Sequence, residues 1–75
     1  MKLYNNTNDD VEYTISSATS DNCGNIDAGQ TADEPYYDNM QGVTVDFSTG
    51  SGNAFNVTIP ESKEGMTVTV GIYFE

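Results

Sequence analysis

From Val43 onward apolar residues fall on every second position, and that alternation decides the fold class. Val43, Val45 and Phe47 alternate with Thr44 and Asp46, and Phe55, Val57 and Ile59 alternate with Asn56 and Thr58. Met66, Val68, Val70, Ile72 and Phe74 then alternate with Thr67, Thr69, Gly71, Tyr73 and Glu75. A strand sends successive side chains to opposite faces, so each run has one apolar and one wet side. Three such runs predict an antiparallel meander over a core. The stretch "STGSGN" supplies the small residues of a hairpin loop, and Pro60, which cannot donate to a ladder, marks the end of the second run. Gly71 is expected to mark a bulge or a close backbone approach.

The N-terminal part repeats the pattern more briefly. Val11, Tyr13 and Ile15 alternate with Glu12, Thr14 and Ser16, and Leu3 and Tyr4 precede them across the turn-like "NNTNDD". This predicts a hairpin whose apolar side, with Leu3, covers the meander. The expected product is one all-β domain over residues 1–75, a small antiparallel sandwich or open barrel of about five strands. A chain of 75 residues buries only about 60% of its unfolded surface, so it has room for a single core. Residues 18–42 show no sustained period and contain Gly24, Gly29, Pro35 and Gly42. They read as a long acidic central loop with Cys23 and Ile26 as buried anchors, and "CGNID" as a short strand able to join the sheet.

Charge bounds the function. Twelve Asp and Glu face only Lys2 and Lys63, with no Arg and no His, for a net charge of −10. Nucleic-acid affinity comes from Lys and Arg displacing counterions, so direct DNA or RNA binding is excluded, and an anionic membrane surface repels the chain. Solubility asks for about 2 to 8 net charges on a small domain, and the surplus points to a basic protein surface as partner. The stretch "DEPYYDN" sets Asp33, Glu34 and Asp38 around Tyr36 and Tyr37. Tyrosine offers rigid contact area with a polar tip, and a partner's Arg can pair with a carboxylate while stacking on a ring. Asp21 and Asp27 from the same segment, with Glu12 and Asp46 on wet strand faces, complete the expected partner-binding set. Glu75 is expected on the same wet face. In the plainer reading one tyrosine closes the open end of the sandwich, the acids solubilise, and the loop Asp and Asn residues serve turns.

Other chemistry finds little support. Without His and with one Cys, nucleophilic catalysis has no activating base. A glycosidase-like carboxylate pair needs a deep cleft that a chain this short rarely forms. No enzyme, no catalytic residue and no cofactor is expected. The stretch "DNCGNIDAGQTA" has oxygen-bearing residues where a calcium loop has positions 1, 5 and 7. Cys23, Ile26 and Ala32 occupy the positions that need an oxygen, a Gly and a bidentate Glu, so no metal site is expected. Cys23 is alone, the N-terminal stretch has no apolar signal-like region, and no segment approaches the roughly 20 apolar residues of a membrane-spanning helix. A cytoplasmic setting is expected, in which the sequons at Asn5 and Asn56 are chance matches.

In size, single-domain build and the acidic stretches "NDDVE" and "DEPYYDN", the chain resembles the small acidic inhibitors that phages make, notably the DNA-mimicking anti-CRISPR proteins. That resemblance implies a cytosolic inhibitor that binds the host's Cas machinery and keeps target DNA out. The stretch "YNNTNDDVEYTISSATSDNCGNIDAGQT" is also similar to the opening of small β-sandwich binding proteins of the aegerolysin-like kind. This second resemblance implies a module for sugar or lipid. A third alternative is a homo-oligomer pairing through residues 66–74. The expected state is monomer or dimer.

Overall fold

The alternating runs become strands of two facing sheets. A computed structural model describes residues 1–73, and within them lie β1 (Lys2–Tyr4), β2 (Val11–Ser16), β3 (Asp21–Ile26), β4 (Thr31–Asp33), β5 (Gln41–Thr49), β6 (Ala54–Glu61) and β7 (Thr67–Thr69). Short 3-10 turns occupy Pro35–Tyr37 and Val70–Tyr73. One sheet has the order β3-β2-β5-β6 and is antiparallel throughout; the other has the order β4-β1-β7. The all-β sandwich is therefore present, with seven strands among the described residues instead of about five.

Between the sheets lies one core. Val11, Tyr13, Ile15, Ile26, Val43, Val45, Phe47, Val57 and Ile59 come from the larger sheet, Leu3 and Val68 from the smaller, and Met1, Tyr37 and Val70 fill the margins. Phe47 and Phe55 face each other across β5 and β6 with ring centroids 5.7 Å apart. Phe55 and Met66 are only partly buried, because they sit where the core opens. The β5–β6 hairpin is closed by Thr49 N–H donating to Asn53 O and Gly52 N–H donating to Thr49 O. Gly52 takes φ 95° there, a conformation that a Cβ would strain.

Several expectations are corrected. Residues 18–42 are not a long loop, since β3, β4 and a 3-10 turn run through them. The register pairs Tyr13 with Gly24, and the Tyr13 ring lies over that glycine: a Cβ built there would stand 2.8–2.9 Å from ring atoms. The ring fills the space that an apolar side chain of β3 would otherwise take, and so β3 needs no alternation of its own. Gly24→Ala is expected to destabilise the fold by about 1–3 kcal/mol through overpacking, readable as a lowered denaturation midpoint; an unchanged midpoint would show that the ring is free to move aside.

Nor do β1 and β2 form a hairpin. "NNTNDD" carries the chain from one sheet to the other around buried Asn5. Its Nδ2 donates to Asp9 O (2.7 Å) and Ile26 O (2.8 Å), and its Oδ1 accepts from Thr7 N–H (3.0 Å) and Thr7 Oγ1 (2.6 Å). The third run likewise leaves the meander: β7 lies beside β1, in parallel, with Leu3 opposite Val68. After Thr69 the strand gives way to a 3-10 turn, where Gly71 N–H donates to Asn6 Oδ1 at 2.6 Å. Gly71 is a close-approach glycine, as a Cβ there would fall 2.1 Å from that oxygen. The side chains expected at the end of this run, those of Phe74 and Glu75 included, lie outside the described residues. Pro60 does not end β6, which continues to Glu61. The Thr49–Asn53 bond sets odd-numbered residues of β6 as the ones bonded to β5, so the Pro60 nitrogen faces the open edge, where no donor is needed.

Candidate functional site: an acidic sheet face

The outward side of the four-stranded sheet collects five of the chain's twelve carboxylates. Strand parity there is strict: β2 presents Glu12, Thr14 and Ser16, β3 presents Asp21, Cys23 and Asn25, β5 presents Asp46 with its neighbours, and β6 presents Asn56 and Thr58. The register sets Glu12 beside Asn25, Thr14 between Cys23 and Asp46, and Ser16 beside Asp21. Asp10 and Asp27 continue the same parity just beyond the ends of β2 and β3. Asn25 Nδ2 donates to Asp27 Oδ1 (3.3 Å), and Ala28 N–H donates to Asp10 Oδ1 (3.2 Å). Asp46 Oδ1 accepts from Asn56 Nδ2 across the β5–β6 pair.

Five carboxylates, Asp10, Glu12, Asp21, Asp27 and Asp46, thus share one face, and the hydrogen-bond donors they meet are neutral. Both lysines lie elsewhere. Lys2 belongs to β1 of the other sheet, in register with Asp33, and Lys63 stands 3.8 Å from Glu61 beyond the end of β6. An open concavity of about 750 Å³ lies in this face over Glu12, Thr14, Cys23, Asn25, Asp46 and Asn56, with Asp10, Asp21 and Asp27 outside its lining. Alternate residues along a strand are about 6.6 Å apart and neighbouring strands about 4.8 Å, and the five carboxylates occupy separate points of that grid, with Thr, Ser, Cys and Asn between them. Cys23 is exposed on this face and not a buried anchor, because the inward position beside it belongs to Gly24 and the Tyr13 ring.

The segment "DEPYYDN" is divided by the fold. Asp33 and Tyr36 are exposed, with Tyr36 set edge-on to Tyr37 at 5.1 Å between ring centroids. Tyr37 and Glu34 are buried. Glu34 accepts from Asn22 Nδ2 (2.6 and 3.1 Å) and from Tyr13 Oη (3.3 Å), which replace the water its carboxylate gives up. Asp38 is half-buried and forms an ion pair with the buried α-ammonium of Met1, a cation that a count of Lys and Arg overlooks. Of the residues singled out in the sequence, Glu12, Asp21, Asp27 and Asp46 are brought together; Asp33, Glu34, Tyr36, Tyr37 and Asp38 lie apart from them. Asp10 was missed, and its signal is the two-residue step to Glu12.

Burial and the neighbouring Glu34 carboxylate push the Tyr13 phenol up to about 12. The neutral phenol is favoured in the folded state, so this contribution to stability is complete below about pH 10 and is lost as pH rises from about 10 to about 12. In an alkaline absorbance titration Tyr13→Phe is expected to remove an ionisation step near pH 12. An alkaline limb unchanged by the substitution would contradict this.

Asp21–Ile26 runs as a strand, which points alternate side chains one way and prevents the wrapping that a calcium loop requires. Among the described residues no group of three or more His, Cys, Asp or Glu is placed to hold a metal ion, and no helix is long and apolar enough to cross a membrane. Comparison with protein-family models, with curated proteins and with solved structures finds no match to this chain.

Proposed function

We propose that the chain is a non-enzymatic inhibitor that docks its acidic sheet face on a basic, nucleic-acid-binding protein surface and occupies it in place of a phosphate backbone. The observation that carries this reading is segregation: five carboxylates on one sheet face, two of them lining its concavity, with both lysines elsewhere. Charge of one sign on one face steers a cationic groove toward it and orients the encounter. The step of about 6.6 Å from Asp10 to Glu12 lies close to two rises of about 3.4 Å along a DNA strand, so this pair can meet cations arranged for phosphates. A CRISPR effector, whose channel is lined with positive charge, is the kind of target that the resemblance implies, and the host cytosol is the place of action.

The test is affinity capture from host extract at low and high salt, beside a variant with Glu12, Asp21 and Asp46 changed to lysine. The wild type is expected to retain a nucleic-acid-binding protein that high salt or added DNA releases, and the variant to lose it. Capture of the same proteins by both forms would end the proposal. A sugar-binding module is the second reading, favoured by the amide and hydroxyl groups of Thr14, Asn25 and Asn56 in the concavity. Glycan binding indifferent to salt would select it.

A further inference from the structure

Resting on the acidic-face reading, we infer that the open edge of β3 receives an extended basic segment of the partner as an added strand. Ser17 N–H donates to Ser20 O at 2.8 Å and closes the β2–β3 hairpin. With the observed register, this makes Ile15/Asn22, Tyr13/Gly24 and Val11/Ile26 the hydrogen-bonded pairs. The N–H and C=O groups of Asp21, Cys23 and Asn25 therefore turn away from β2. No strand among the described residues lies along that side.

Edge strands are usually protected by shortness, by proline or by charge. At the other edge of this sheet, β6 has Pro60, whose nitrogen faces outward, and no carboxylate from Ala54 to Thr58. The edges of the smaller sheet, β4 and β7, are three residues each. Among the edge strands of the described residues, only β3 combines six residues without proline with an acid at its start, Asp21, and another just past its end, Asp27. Those acids discourage a second copy. In the self-pairing register centred on Gly24, Asp21 would oppose Asp27 twice over, and two chains of −10 would be brought together. A strand with Lys or Arg at alternate positions meets the opposite situation. Its main chain bonds to Asp21, Cys23 and Asn25 while its cations lie over the acidic face, the strand-addition mode of peptide recognition.

The test uses the isotope-labelled full chain and a synthetic heptapeptide of alternating Lys and Thr. A second heptapeptide carries the same charges but is N-methylated at the lysines, the residues that would bond to β3. Amide hydrogen exchange at Asp21, Cys23 and Asn25 is expected to slow about tenfold with the first peptide and to stay unchanged with the second. Equal effects of the two peptides would overturn strand addition while leaving the acidic face as a charge-driven docking surface. Protection of the same amides without peptide, rising with protein concentration, would overturn it in favour of a second copy. Absence of any spectral change on the acidic face with either peptide would overturn both this inference and the reading beneath it.

Discussion

Changing Glu12, Asp21 and Asp46 together to lysine is expected to weaken binding to a basic partner about a hundredfold and to leave the fold in place. Each exposed charge pair contributes about 0.5 kcal/mol, and reversing three charges alters six units, or about 3 kcal/mol. All three side chains stand on the solvent side of the sheet, so the core loses no contact. Circular dichroism should match the wild type, and the salt dependence of binding should flatten. Reversing Glu61, Glu64 and Asp33, exposed positions away from that face, is the matched control. An equal loss in the control would mean that net charge alone, and not the face, attracts the partner.

Asp38→Ala is expected to lower stability by about 3 kcal/mol. The α-ammonium of Met1 is buried, and removing its carboxylate leaves a cation out of water without a counterion. For a domain of this size that corresponds to a fall of about 15 °C in melting temperature. Asp33→Ala, five residues earlier and exposed, should change stability by no more than about 0.5 kcal/mol. Melting of Asp38→Ala within two or so degrees of the wild type, a span of about 0.5 kcal/mol, would show that water takes over the role of the carboxylate. Two acids in one heptapeptide thus have unrelated tasks.

The strands that were legible in the sequence are those that bury one whole side. Val43, Val45 and Phe47, with Val57 and Ile59, announce themselves because every inward position needs an apolar side chain. β3 was legible only as the short strand "CGNID", and showed no period because its inward positions are Asn22, Gly24 and Ile26: the first reaches a buried carboxylate, and the second lies under a ring from the next strand. The pairing of β1 with β7 was hidden for a different reason. Residues 2–4 and 67–69 are too short to show a period, and periodicity says nothing about which strands become neighbours. The acidic face was half legible. Parity gave Glu12 and Asp46, but placing Asp21 and Asp27 beside them required the register that pairs β3 with β2.

The placement of β1 between β4 and β7 has a consequence for biosynthesis. Residues 2–4 leave the ribosome before both strands that flank them, and one of these, 67–69, is translated more than sixty residues later. Until then the nascent chain carries an unfinished layer with Leu3 and its neighbours uncovered, a stage at which a chaperone can hold it and a protease can cut it. Folding of the smaller layer must await the synthesis of residues 67–69, so a message truncated before residue 67 should yield a product that is rapidly degraded.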